Sequence, residues 1–135
     1  MVNYQTSAGV YQQAQIATAD RGRLLILMYD GALRFLAQAE AGLREDRIED
    51  FAQPLARAQA VIAELLHTLD HKAGGEIATQ LERLYRFMLE HLVEANMQKS
   101  VRHVEQVRRV LSIIADAYRE VVAQGPAALG ARNAA

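Results

Sequence analysis

Two histidines one helical turn apart are the first residues whose spacing could do chemistry. His67 and His71 stand at i and i+4 with Asp70 between them, which would put two imidazoles on one helix face, able to hold a divalent metal. Such a site needs a third ligand from elsewhere and further groups to orient the imidazoles. Imidazoles near a helix C-terminus are also favourable against the dipole with no metal present. Glu64 and His67 spell E-x-x-H, the motif of carboxylate di-iron bundles, but that centre takes two copies of the motif plus a glutamate from each remaining helix. There is no second copy: Phe87 and Met88 stand where a glutamate before His91 would be, and Ser100 precedes His103.

The remaining reactive side chains fit no catalytic pattern. Ser7, Ser100 and Ser112 lie outside any glycine-flanked nucleophile elbow. Gly74-Gly75 lacks the lysine and spacing of a phosphate-binding loop. Cysteine is absent, which removes thiolate nucleophiles, thiolate zinc sites and disulfides together. Glu90 and Glu94 read as a solvated pair on the polar face of a helix. Lys99, Arg102, His103, Arg108 and Arg109 form a modest basic patch with local partners such as Glu105 for Arg109. An enzyme is not expected, nor is a metal or a cofactor.

The composition narrows the class further. Fifteen Lys+Arg against sixteen Asp+Glu give a net charge of −1 over 135 residues, without the basic excess a nucleic-acid partner requires. The apolar stretches fall far short of the ~20 residues that span a bilayer. The N-terminus carries no basic and apolar run of the secretory kind. A single domain over residues 1–135, working in the cytosol without membrane insertion, is the expectation.

The elements that must position any site are helices. From about Asp20 to Leu43, apolar residues recur three or four apart: Leu24, Leu27, Met28, Gly31, Phe35, Ala39 and Leu43, with Leu25, Tyr29, Ala32 and Leu36 forming a second stripe. A second helix spans about Arg47 to Leu69, with Asp46 in the N-cap position and Glu49 completing a capping-box pattern. Pro54 falls inside it, and a kink is expected there. Gly74-Gly75 signals a turn. Third and fourth helices then run from about Glu76 to Gln98 and from Val101 to Gln124, where Gly125-Pro126 ends the pattern. The short links force antiparallel neighbours. The expected fold is all-α, an up-down four-helix bundle over residues 19–124. A flexible N-terminal strap over residues 1–18 and a short disordered tail over 125–135 complete it.

The first helix has more apolar surface than a bundle needs. Leu24 to Tyr29 is an unbroken apolar run, and no helix can turn all of it toward one core. Some of it must be covered by the strap, anchored by Tyr11 and Ile16, or by another chain. Gly31 in mid-helix costs about 1 kcal/mol against alanine, which close approach to the backbone at that point would explain. A groove for an amphipathic helix fits this pattern. A homodimer through the same surplus face, in a helical adaptor, is the alternative.

These segments resemble the FliS family, the flagellar secretion chaperones that bind flagellin. YQQ at Tyr11–Gln13, LMYDGALRFL at Leu27–Leu36 and AQAVIAELLHTLD at Ala58–Asp70 look like family motifs. So do GGEIATQLERLY at Gly74–Tyr85 and LVEAN at Leu92–Asn96, and all stand in the family's order and spacing. Thr18-Ala19 departs from the Ser/Thr-Pro pair usual ahead of the first helix, Tyr118 stands where tryptophan is frequent, and Pro54 is unusual.

The resemblance implies a chaperone that binds the C-terminal segment of flagellin, prevents its polymerisation before export and helps deliver it to the flagellar type III export gate. Leu24, Leu27, Met28, Gly31 and Phe35 are then the candidate partner surface, with Asp30 and Arg34 at its rim, as a local ion pair or orienting the bound helix. Tyr11 and Ile16 anchor the strap, and the Tyr11 region is also a candidate for docking to the export gate.

Overall fold

In the computed structural model the backbone is described for residues 7–125 and the side chains from Asp20 onward. Four helices follow one another: α1 (Ser7–Arg44), α2 (Ile48–His67), α3 (His71–Gln98) and α4 (Val101–Ala123). Each packs against its neighbours in the chain, and α4 closes the ring against α1. With such short links consecutive helices run antiparallel, as an up-down bundle requires. The core comprises Tyr29, Leu36, Phe51, Leu55, Ile62, Tyr85, Met88, Leu92, Val104, Val107 and Leu111, all buried, while Ile77 and Leu84 of α3 stand exposed.

The helix boundaries differ from the spacing in instructive ways. α1 starts at Ser7 instead of near Asp20, so from Ser7 onward the backbone of the expected strap is helical. The stretch is rich in alanine and glutamine, which favour helix, and Thr18-Ala19 supplies no proline to interrupt it. The side chains of Tyr11 and Ile16 lie outside the described residues, as do residues 1–6 and the tail after Gly125.

Asp46 does not cap α2. It adopts a left-handed conformation, φ 62°, and ends α1: Arg47 N–H donates to the Gly42 carbonyl at 2.8 Å and Asp46 N–H to Leu43 at 3.1 Å. That is a Schellman closure, in which the left-handed residue reverses the chain and satisfies the last carbonyls. The N-cap role passes to Arg47, which makes no side-chain capping bond. α2 then runs as one helix through Pro54. The carbonyl that Pro54 leaves without a helical donor, at Asp50, belongs to the peptide against which Gly42 of α1 packs.

α3 begins earlier than its spacing suggests. Asp70 accepts from the Lys72 and Ala73 amides at 3.1 and 3.0 Å, which starts the helix at His71. The expected break survives inside α3 at Gly75, φ 53° and ψ −126°, a conformation open to glycine and costly for other residues. Ser100 caps α4 through the His103 amide at 3.2 Å.

Candidate partner-binding surface

α1 has two working faces. Tyr29, Ala32, Leu36, Ala39 and Glu40 are buried in the bundle. Beside them runs the stripe Leu24, Leu27, Gly31, Phe35, each residue three or four from the last, so all share one side of the helix. Leu24 is 56% and Leu27 67% exposed. Met28 and Phe35 are half-buried and pack against the core from the edge. These two therefore shape the floor of the surface while the two leucines stand out from it.

Among the described residues Gly31 is not held against another helix. A Cβ built there would meet only the Arg34 guanidinium, at 4.0 Å. The close internal approach is at Gly42, three turns further along the same face, where a Cβ would come within 2.5 Å of the Asp50 backbone. α2 thus covers this face of α1 at Gly42, and the face lies open at Gly31, Leu27 and Leu24.

Two guanidiniums border the open stripe. That of Arg34 folds toward Gly31. That of Arg57, from α2, sits over the Phe35 ring, 5.9 Å from its centroid, within the range of a cation–π contact. Asp30 does not pair with Arg34: its carboxylate is engaged by Arg119 of α4. Arg34 stands one turn further along the same side of α1, but Arg119 of α4 takes the Asp30 carboxylate in its place. The rim expected from Asp30 and Arg34 therefore divides, with Asp30 tying α1 to α4 and Arg34 remaining at the stripe.

Polar contacts inside the bundle fix α1 in place. The hydroxyls of Tyr29 and Tyr85 lie 2.6 Å apart, and the Tyr118 ring is 5.8 Å from that of Tyr29. Burial pushes all three phenols above their ordinary pKa. Glu40, a buried carboxylate, takes both the Nε and, at 3.0 Å, the Nη2 of Arg108, and Arg44 bridges to Glu105 at 3.1 Å. Glu105 thus serves α1 instead of Arg109 on its own helix. Glu40, Tyr85, Arg57 and Arg119 were not among the residues singled out by spacing. Glu40 had a usable signal, since a carboxylate four residues after Leu36 falls on the core stripe and needs a partner.

The histidines gather no metal site among the described residues. His71 faces Glu82 at 3.3 Å. His91 stacks between Phe87 and His103, centroids 5.0 and 4.3 Å away, with its Nε2 2.5 Å from the Gln106 side-chain oxygen. Ser100 Oγ lies 2.7 Å from His103 Nδ1. Among the described residues no helix is long and apolar enough to cross a membrane.

Comparison with known proteins places the chain in a family. The family described as "Flagellar protein FliS" matches residues 3–125. The "Flagellar secretion chaperone FliS" of Campylobacter jejuni is 33% identical over 111 residues, 82% of this chain and 87% of that protein. The "Flagellar secretion chaperone FliSB" of Pseudomonas aeruginosa is 35% identical over 105 residues, 75% and 83% of the two chains. The Salmonella typhimurium FliS chaperone is 31% identical over 123 residues, 86% and 91%.

Proposed function

Since the chain belongs to the FliS family of flagellar proteins, we propose that it is a flagellar secretion chaperone whose client is the C-terminal segment of flagellin. The observation that carries the reading is the open stripe on α1, where Leu24 and Leu27 stand more than half exposed beside a glycine that, among the described residues, only the Arg34 side chain approaches. Apolar side chains spaced three and four apart on a rigid helix form one wall of a groove for an amphipathic helix. A glycine between them lets the incoming backbone approach closely.

Binding there works without catalysis. An unexported flagellin tail that folds on this surface hides the apolar face it would otherwise offer to other flagellin copies, so polymerisation waits until export. Ordering the client offsets several kcal/mol of the contact energy, which keeps the complex tight enough to protect and weak enough to release. The complex meets the flagellar type III export gate from the cytosol, and the N-terminal region around Tyr11 is the part of the chaperone assigned to that meeting.

Titration of the full chain with the C-terminal segment of its own host's flagellin, in a calorimeter at several temperatures, tests the reading. Saturable one-to-one binding with a large negative heat-capacity change is the expected result. Silence in the calorimeter and in a second binding probe, with the chaperone folded by circular dichroism, would contradict it.

A further inference from the structure

The open stripe is half apolar and half cationic, and the two halves follow each other along α1. Leu24 and Leu27 form one end, more than half exposed. At the other end the Arg34 guanidinium leans over Gly31 and the Arg57 guanidinium covers Phe35. Gly31 and Phe35 are one helical turn apart, so the two cations border consecutive turns of α1. Among the described residues neither has a carboxylate within ion-pair distance, while Arg44, Arg47, Arg86, Arg108 and Arg119 all do.

Resting on the chaperone reading above, we propose that this surface selects an amphipathic helix carrying two carboxylates one turn apart at one end of its apolar face, held by Arg34 and Arg57. A helix laid along the stripe places leucine-sized side chains against Leu24 and Leu27. Its next turns lie over Gly31 and Phe35, where two guanidiniums await partners. Carboxylates at i and i+3 or i+4 on that helix lie on consecutive turns, as the two cations do along α1. Each guanidinium offers a planar fork that donates two hydrogen bonds to a carboxylate. Arg57 leaves its place over the Phe35 ring by a rotation of its side chain, which opens the floor to the client at the moment the charge pair forms. Such charges select among clients and set their orientation more than they raise total affinity. A helix with lysines at the same positions is turned away by like charge, and one laid in the reverse direction places its carboxylates over the leucines.

The test uses two synthetic helical peptides with one leucine stripe in common, one bearing glutamates and the other lysines at the paired flanking positions, titrated into the full chain by fluorescence anisotropy. The glutamate peptide is expected to bind about tenfold more tightly at low salt, with the difference shrinking as salt rises. Arg34→Gln with Arg57→Gln removes the preference, and Arg34→Glu with Arg57→Glu reverses it. Both positions are exposed, and circular dichroism checks that the variants fold. Equal binding of the two peptides, a preference that survives the glutamine variant, or no binding of either would each overturn the proposal. The chaperone reading fails separately, when the flagellin segment itself does not bind.

Discussion

The hydroxyls of Tyr29 and Tyr85 meet at 2.6 Å inside the bundle and join α1 to α3 across its diagonal. Neither ring is more than 1% exposed, so each hydroxyl depends on the other in place of water. Tyr29→Phe or Tyr85→Phe alone leaves a buried hydroxyl without this partner and is expected to cost about 1–3 kcal/mol. Removing both hydroxyls removes the unmet need as well, and the double variant should be less destabilised than the sum of the singles. Urea unfolding of the four proteins measures this coupling directly.

The same burial makes the fold sensitive to alkali. Tyr29, Tyr85 and Tyr118 hold their protons more tightly in the folded chain than in the unfolded one. Their contribution is complete below about pH 10, where unfolded phenols begin to ionise. It declines as pH rises from there toward the raised folded values, because the unfolded chain loses the protons first. The thermal midpoint is therefore expected to fall steeply between pH 10 and 11, and less steeply in the Tyr29→Phe/Tyr85→Phe variant. An equal slope in both proteins would remove these phenols as the cause.

Two glycines of α1 separate fold from function. Gly42→Ala forces a Cβ into the Asp50 backbone, and a loss of about 2 kcal/mol or more is expected from the overpacking. Among the described residues Gly31→Ala meets nothing closer than the Arg34 side chain, so the free chain gains up to about 1 kcal/mol of helix propensity. The same added methyl should weaken flagellin binding, because it stands where the client backbone approaches. Unfolding midpoints and affinities of the two variants test the contrast.

Glu40 and Arg108 set the register of α1 against α4. Arg108→Ala leaves Glu40 buried with only Arg44, at 3.9 Å, to answer it, and a loss of about 2 kcal/mol is expected. The figure is below that of a fully buried pair because Arg108 itself reaches solvent. Glu40→Met removes the charge along with its need and should cost less than Arg108→Ala. Chemical denaturation orders the two variants.

Much of this molecule could be read before its structure. The apolar rhythm of Ile48, Phe51, Leu55, Ala58, Ile62, Leu65 and Leu69 supplies the buried face of α2 from Phe51 to Leu65, because a strict three-four spacing leaves a helix only one side to bury, while Ile48 at the helix start is 49% exposed. Boundaries were harder, since they turn on single backbone conformations. Asp46 resembled a cap by residue type, yet a tight reversal after α1 required a left-handed residue, and Asp46 took that role. Of the candidate site, Leu24 and Leu27 stand exposed as surplus apolar residues should, while Asp30 was drawn to Arg119 of a helix far away in the chain. Arg57 was invisible for the same reason: local spacing does not say that a side chain on α2 will lie over Phe35.

The most direct test of the account is the affinity of the flagellin C-terminal segment for the unsubstituted chain beside Leu27→Asp. Leu27 is 67% exposed, so the substitution should leave the unfolding midpoint nearly unchanged. Burying a carboxylate in an apolar contact without a partner is expected to weaken binding by tenfold or more. A folded Leu27→Asp protein that binds flagellin as tightly as the unsubstituted chain would place the client somewhere other than α1 and contradict the account.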